Sequence, residues 1–183
     1  PTWPTERILQ AVLIAWHDYM YTGDSRSLNA NYDILRARSL IKLQQNNGLI
    51  STTANKQSPE FLSSINRSDA PIKDIVDWPH TGILGLNKKE GGEADGFVFT
   101  YYNAVTNAYH YEALKLMAKI ANVLDKTSDA SFFNKEASLF LDRFNKTFYN
   151  DKAFCYVDGD TTMHASLHAN MFPVAFGMVP TDK

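Results

Sequence analysis

Apolar residues recur at helical spacing in five stretches of the chain. Stretches with apolar residues on two helix faces alternate with stretches that have them on one face. We predict helices over about 4–21, 25–45, 97–125, 129–149 and 163–178. The first, third and fifth carry apolar residues on two faces and are predicted to be buried on both sides, whereas the second and fourth carry one stripe. Alternating buried and half-exposed helices are typical of hairpins packed in two layers. The sequence therefore predicts an all-α fold of helical hairpins.

Hairpins in two layers build either an open solenoid or a closed toroid, and the spacing of the hairpins separates the two. Solenoids repeat at a nearly constant period. Here residues 46–96 interrupt the pattern and are predicted to be mostly irregular, with a short helix near Ser58 and a loop rich in glycine and charge over 82–96. The unequal spacing favours helical hairpins that form part of an (α/α)6 toroid.

Similar turn signals precede the two solvent-facing helices. They are Thr22-Gly23-Asp24 and Thr127-Ser128-Asp129, and Pro180-Thr181-Asp182 resembles them. The last of these predicts the start of a further outer helix. We therefore expect residues 1–183 to form a single domain, a partial (α/α)6 barrel truncated at both ends. Such a half-barrel is expected to self-associate through exposed inner-helix surface.

The composition argues against several classes of partner. The 183 residues are 44% hydrophobic and 21% charged, with a formal net charge of −2, which is typical of a globular domain. The sequence has no basic stripe that would attract nucleic acid or an anionic membrane. It also has no apolar run of membrane-spanning length. We expect neither a nucleic-acid partner nor a membrane partner.

Carboxylates, aromatic rings and histidines cluster at the N-terminal ends of the three inner helices. In a toroid all inner helices run in the same direction, so these ends are expected to meet at one mouth. An aromatic ring can cover the apolar face of a pyranose, and glycoside hydrolysis uses two carboxyl groups. The candidate substrate-binding residues are Trp3, Glu6, Asp77, Trp78, Asp95, His164 and His168.

Each acidic candidate also has a structural interpretation. Asp77 is the best catalytic candidate within the chain, because a carboxylate beside an aromatic residue, Trp78, is a common sugar clamp; its alternative is a cap or turn. Glu6 is equally suited to stabilising the positive end of the first helix. Asp95, which precedes Gly96, is more typical of a turn.

The two histidines raise the question of a metal. On one helix, His164 and His168 would lie four residues apart on the same face, a spacing that could bind a metal ion. The sequence offers no obvious third ligand, and the glutamate of a metalloprotease motif is absent between them. Polar pocket lining and plain burial remain open, and we expect no metal and no cofactor.

Several segments, in order along nearly the whole chain, resemble bacterial α-L-rhamnosidases. These enzymes are the six-hairpin glycosidases of glycoside hydrolase family 78. The similar segments are residues 1–6 (PTWPTE), 19–24 (YMYTGD), 74–79 (DIVDWP), 103–109 (NAVTNAY), 168–173 (HANMFP) and 175–180 (AFGMVP).

The resemblance implies a specific activity and specific positions for the general acid and the general base. It implies an (α/α)6 barrel catalytic domain, of which this chain is the central part, that hydrolyses terminal α-L-rhamnose from glycosides with inversion. The family's general acid precedes the segment that resembles 3–6, and its general base follows the segment that resembles 168–180. We therefore expect the chain to supply pocket residues and to be inactive in isolation.

The resemblance also assigns individual residues to the pocket. It implies that Trp3 and the pair Asp77–Trp78 line the rhamnose site and that Glu6 replaces an acidic residue often found nearby. His164 and His168 correspond to polar pocket positions.

Two alternatives to a rhamnosidase stay open. One is a non-catalytic α-helical repeat scaffold, and the other is a different (α/α)6 carbohydrate-active enzyme, because a fold does not fix the sugar. The glycosidase interpretation implies a carbohydrate partner, a rhamnoside. A bacterial location could be periplasmic, extracellular or cytoplasmic.

Overall fold

A computed structural model describes residues 2–77 and 95–180 of the chain. Its elements are β1 (Trp3–Pro4), α1 (Thr5–Thr22), α2 (Arg26–Ala30), α3 (Tyr32–Arg38), α4 (Pro59–Ser64), β2 (Ile72–Lys73), α5 (Ala104–Val123), α6 (Thr127–Phe148), β3 (Tyr149–Asn150), β4 (Cys155–Tyr156) and α7 (Leu167–Ala175). Helices dominate, which confirms the predicted all-α class. None of the helices in these two ranges is long and apolar enough to span a bilayer. Trp78 and most of the predicted glycine-rich loop lie outside the described residues.

The centre of the core is α5, which is buried around nearly its whole circumference. It packs against α1, α6 and α7. Its start is fixed by Asn103, whose side-chain oxygen accepts the Thr106 N–H at 3.2 Å and so satisfies one of the unpaired donors of the first turn. The predicted burial of this helix on two faces is confirmed.

The helix α6 covers one side of α5 with a single stripe of apolar side chains. Its fully buried phenylalanines include Phe140, Phe144 and Phe148, with ring centroids 6.3 and 4.9 Å apart along the helix. Burying each such ring contributes about 2–3 kcal/mol. The prediction of a one-faced outer helix is confirmed here.

The other two inner helices are buried less than the sequence predicts. In α1 the first half is buried, but Ile14 and Met20 are exposed; in α7, Leu167 and Val174 are exposed. Within the described residues nothing packs against these faces. Ile14 lines an open groove of about 570 Å³ between α1 and α7, with Tyr109 also in its lining. The prediction of two-sided burial is therefore wrong for α1 and α7 in this part of the protein.

The predicted second helix is broken in the structure. It divides into α2, α3 and a 3₁₀ turn at Ile41–Leu43. Asn31 separates the first two, and Leu40 adopts a left-handed conformation with φ of 62°. Leu40 is fully buried, so packing compensates for a conformation that an apolar residue rarely takes.

Two predicted helices begin later than expected. The segment 97–103 precedes α5 without being helical, and Asn103 forms an isolated antiparallel bridge with Gly159. The final helix begins at Leu167 and ends at Ala175. Consequently His164, predicted to share a helix with His168, lies on a connecting segment, and Tyr101 and Tyr102 lie on the segment before α5.

Candidate functional site

A cleft of about 170 Å³ lies where α1, α5 and α7 meet. Its lining comes from these three helices, from β1 and from the loop after β2. The lining residues are Pro4, Glu6, Arg7, Gln10, Ile75, Val76, Asp77, Tyr109 and Phe172. The first turns of α1 and the loop before residue 78 thus meet in one cleft with Tyr109 of α5 and Phe172 of α7. That all inner-helix starts share one mouth stays a prediction.

One lining residue of the cleft, Asp77, belongs to a carboxylate–imidazole pair. Nε2 of His168 lies 2.8 Å from Oδ2 of Asp77. The histidine side chain is 6% exposed and the aspartate side chain 41% exposed. His168 is held in the first turn of α7, whose cap is Ser166 accepting the Ala169 N–H. With Nε2 protonated, the imidazole donates to the carboxylate and orients it, while the carboxylate remains accessible from the cleft.

Glu6 lies beside this pair but faces the backbone. It is 4% exposed, and its Oε1 accepts the Val76 N–H at 2.9 Å and the Ile75 N–H at 3.2 Å. Burial, and secondarily the charge of Asp74, raises the pKa of Glu6 to about 7. Burial also raises the pKa of Asp74. Because each carboxyl disfavours ionisation of the other, the pair holds a proton closer to neutral pH than an isolated acid would.

A second carboxylate–imidazole pair lies at the start of α7. Asp158 is fully buried, and Nδ1 of His164 lies 2.6 Å from its Oδ2. The same carboxylate accepts the Val98 N–H at 2.8 Å and the Ser166 N–H at 2.9 Å. His164 therefore precedes the helix instead of sharing a face with His168, and the two histidines pair with different carboxylates.

Asp95 also contributes to the start of α7. It has a φ of 52°, consistent with the turn interpretation, and its Oδ2 accepts the Leu167 N–H at 2.6 Å. The side chain thus satisfies one unpaired donor of the helix. Its role in binding stays a prediction.

Trp3 lies outside the lining of the cleft. Its indole N–H donates to Oδ2 of Asp69 at 3.1 Å, and the Arg67 guanidinium lies 3.9 Å from the ring centroid. The cation covers one face of the ring, and the neighbouring Pro4 reaches the cleft instead. The structure therefore does not bring Trp3 to Asp77. The Asp77–Trp78 clamp stays a prediction, because Trp78 lies outside the described residues.

The comparison with family models covers almost the entire chain. A model described as the bacterial alpha-L-rhamnosidase 6 hairpin glycosidase domain matches residues 2–183. The chain belongs to this family. The match confirms the resemblance seen in the sequence, and it makes the chain a six-hairpin glycosidase domain, a class whose substrates are carbohydrates. A comparison with curated proteins found no match.

Sequence reasoning missed several lining residues of this glycosidase domain. Nε2 of Gln10 donates to the Tyr109 hydroxyl at 3.1 Å, and the Tyr109 ring lies 4.7 Å from that of Phe172. The spacing held a usable signal, because Gln10 follows Glu6 by four residues and Phe172 follows His168 by four. Positions four apart share one helix face.

The glycosidase domain shows no arrangement for a metal in the parts that the structure describes. Within 2–77 and 95–180, no group of three or more His, Cys, Asp or Glu side chains is placed to hold an ion. The polar side chains that line the cleft are the carboxyls of Glu6 and Asp77, the Arg7 guanidinium, the Gln10 amide and the Tyr109 phenol.

Proposed function

We propose that the protein hydrolyses terminal α-L-rhamnose from glycosides with inversion. In this proposal the chain supplies pocket residues instead of the full acid–base pair. The observation that carries the proposal is the Asp77 carboxylate, accessible from the cleft and oriented by the buried His168. Family membership supplies the glycosidase class.

The cleft offers groups suited to a deoxy sugar. A carboxylate such as Asp77 accepts hydrogen bonds from sugar hydroxyls, and charged acceptors form stronger bonds than neutral ones. Tyr109 and Phe172 supply aromatic surface in the same lining. Rhamnose carries a methyl group at C6, and aromatic rings suit both that methyl and the apolar face of the ring.

Inversion requires a water molecule between the sugar and the general base. An inverting enzyme therefore holds its two carboxyl groups far enough apart to admit that water. We assign the general acid to the segment that, in the family, precedes the one resembling residues 3–6. We assign the general base to the segment that follows the one resembling residues 168–180. Asp77 binds and orients the sugar in this scheme.

The direct test is hydrolysis of an aryl α-L-rhamnoside by the full-length protein carrying Asp77→Asn. Removing one charged acceptor that acts on the bound sugar is expected to lower kcat/KM at least ~100-fold, or about 2.7 kcal/mol of transition-state stabilisation. The matched control is Asp142→Asn, an exposed aspartate on α6, which is expected to stay within about twofold. NMR of the first product should show the β-anomer of rhamnose.

Four results would contradict the proposal. An Asp77→Asn variant with normal kcat/KM would remove Asp77 from the site. An α-anomer as the first product would exclude inversion. Carbohydrate binding by the full-length protein without cleavage of any glycoside would favour the scaffold alternative, and cleavage of other glycosides alone would favour a different sugar.

A further inference from the structure

Glu6 lines the cleft, yet its carboxylate accepts hydrogen bonds from the protein's own backbone. Oε1 accepts the N–H groups of Val76 and Ile75 at 2.9 and 3.2 Å, and Oε2 lies 3.3 Å from the Ile75 nitrogen. These two N–H groups belong to the residues immediately before Asp77. A side chain on the first turn of α1 thus holds the segment that presents the Asp77 carboxylate.

The held segment is in a conformation that needs support. Val76 has a φ of 65°, in the left-handed region that a β-branched residue rarely adopts. Its side chain is buried, so packing and the bond to Glu6 act together on this residue. Loss of the acceptor would leave a buried N–H without a partner and favour relaxation of the backbone.

Glu6 also joins this segment to the core of the domain. The Thr106 hydroxyl on α5 lies 3.4 Å from its Oε1, and the Asn103 cap fixes the turn that carries Thr106. Asp77 in turn pairs with His168 on α7. Glu6 on α1 therefore connects α5 to residues 75–77, and Asp77 connects those residues to α7.

We propose that Glu6 is a positioning residue that holds residues 75–77 so that the Asp77 carboxylate, paired with His168, faces the sugar. The activity side of this inference rests on the proposed rhamnosidase function of Asp77. The alternative is that Glu6 itself contacts the sugar or transfers a proton.

The environment of Glu6 makes glutamine, a neutral side chain of the same length, a suitable conservative substitution. The groups around Glu6 are Asp74, which precedes the held segment, and Tyr109 and Thr106 on α5. Burial and Asp74 raise the pKa of Glu6 to about 7, so the folded protein already tolerates the protonated form. Glutamine retains an oxygen in the position of Oε1, which makes the shorter bonds to the loop.

The test compares Glu6→Gln with Glu6→Ala in the full-length protein. Amide hydrogen exchange is measured at Ile75 and Val76, and kcat and KM are measured on an aryl α-L-rhamnoside. In Glu6→Ala, exchange at both amides is expected to rise at least ~10-fold while α5 amides stay protected. The kcat/KM of Glu6→Ala is expected to fall ~30-fold, mainly through kcat. Glu6→Gln is expected to restore both quantities to within about threefold of the unmodified protein.

The matched control is Glu60→Ala, because Glu60 also occupies the first turn of a helix, α4, but is exposed. It should leave exchange at Ile75 and Val76 unchanged. A general effect of losing a first-turn glutamate would appear in both variants and would overturn the specific role of Glu6.

Two further outcomes would overturn the inference. If Glu6→Gln loses as much activity as Glu6→Ala while its amides stay protected, Glu6 acts on the substrate directly. If Glu6→Ala leaves exchange at Ile75 and Val76 unchanged, Glu6 does not hold the segment. Absence of rhamnosidase activity in the unmodified protein would refute the proposed function alone, because the exchange measurement still decides the role of Glu6.

Discussion

The two carboxylate–imidazole pairs near the start of α7 are opposites in exposure. In the pair Asp77–His168 the imidazole is 6% exposed and the carboxylate 41% exposed; in the pair Asp158–His164 the carboxylate is fully buried and the imidazole 44% exposed. The pair distances are similar, 2.8 and 2.6 Å. The same two residue types therefore present different groups to solvent.

This difference assigns the pairs to different tasks. The Asp158 carboxylate uses its oxygens on two backbone N–H groups as well as on His164, so it organises the segments that precede α5 and α7. The Asp77 carboxylate lies in the cleft, where a sugar can reach it. Exposure and hydrogen-bond partners, more than residue type, distinguish a buried structural carboxylate from one that is accessible from a cleft.

The largest expected effect comes from removing the buried carboxylate. Asp158→Ala leaves the N–H groups of Val98 and Ser166 without their acceptor, which is expected to lower the free energy of unfolding by about 3–5 kcal/mol. Urea unfolding monitored by circular dichroism measures this change. Asp77→Ala is expected to cost less, about 1–2 kcal/mol, because its carboxylate is partly accessible to water although the buried His168 imidazole loses an acceptor. Equal losses in the two variants would break the comparison.

The pH dependence of the free energy of unfolding tests the environment of Glu6, which lies beside Asp77 and not beside Asp158. Burial and Asp74 raise the pKa of Glu6 from 4.5 to about 7, so the folded state binds the proton more tightly than the unfolded state. This contribution to stability is complete below pH 4.5 and is lost as pH rises through 7, up to about 3 kcal/mol in all. Glu6→Gln should abolish that loss in urea unfolding at pH 5, 6, 7 and 8.

A second buried group, His110, changes the free energy of unfolding with pH in the opposite direction, and its effect has to be separated from that of Glu6. Burial lowers the pKa of His110 to about 4, so its contribution to stability is lost as pH falls from about 6.5 toward 4. This effect is common to the unmodified protein and Glu6→Gln, and it cancels when the two are compared. Parallel stability–pH curves for the two proteins would contradict the raised pKa of Glu6.

The smallest expected effects come from exchanging the histidines for leucine. His168→Leu removes the imidazole that orients Asp77 and is expected to lower kcat/KM about 10-fold on an aryl α-L-rhamnoside. His164→Leu removes one partner of Asp158 and is expected to cost about 1 kcal/mol of stability, with kcat/KM within about twofold. Equal losses of activity would show that the two pairs do not differ in function.

Much of the fold could be read from spacing alone. The predicted helix 129–149 corresponds to α6 at Thr127–Phe148, and 4–21 corresponds to α1 at Thr5–Thr22. In both, strong apolar periodicity and terminal turn residues are local properties of the chain. The break near Leu40 and the late start of α5 could not be read this way, because burial and the Asp158 network, both tertiary, override local preference.

The candidate site was predicted in part. Clustering of polar residues at helix starts pointed to Glu6, Asp77 and His168, and the structure brings these three together. Trp3 was expected beside them, but its ring lies against Arg67. The spacing of residues along a helix fixes the direction of a side chain, whereas the terminal strand that carries Trp3 takes its direction from its pairing with β2.

The sequence by itself determined the helical class, the family and the set of polar residues from which a site could be built, because periodicity and motifs are properties of the chain. Tertiary structure decided what each of those residues does. Glu6, Asp77 and Asp158 are all carboxylates near helix starts, and only their burial and partners show that the first holds a loop, the second faces a cleft and the third organises two segments. The physical reason is that hydrogen bonding and desolvation depend on neighbours contributed by distant parts of the chain.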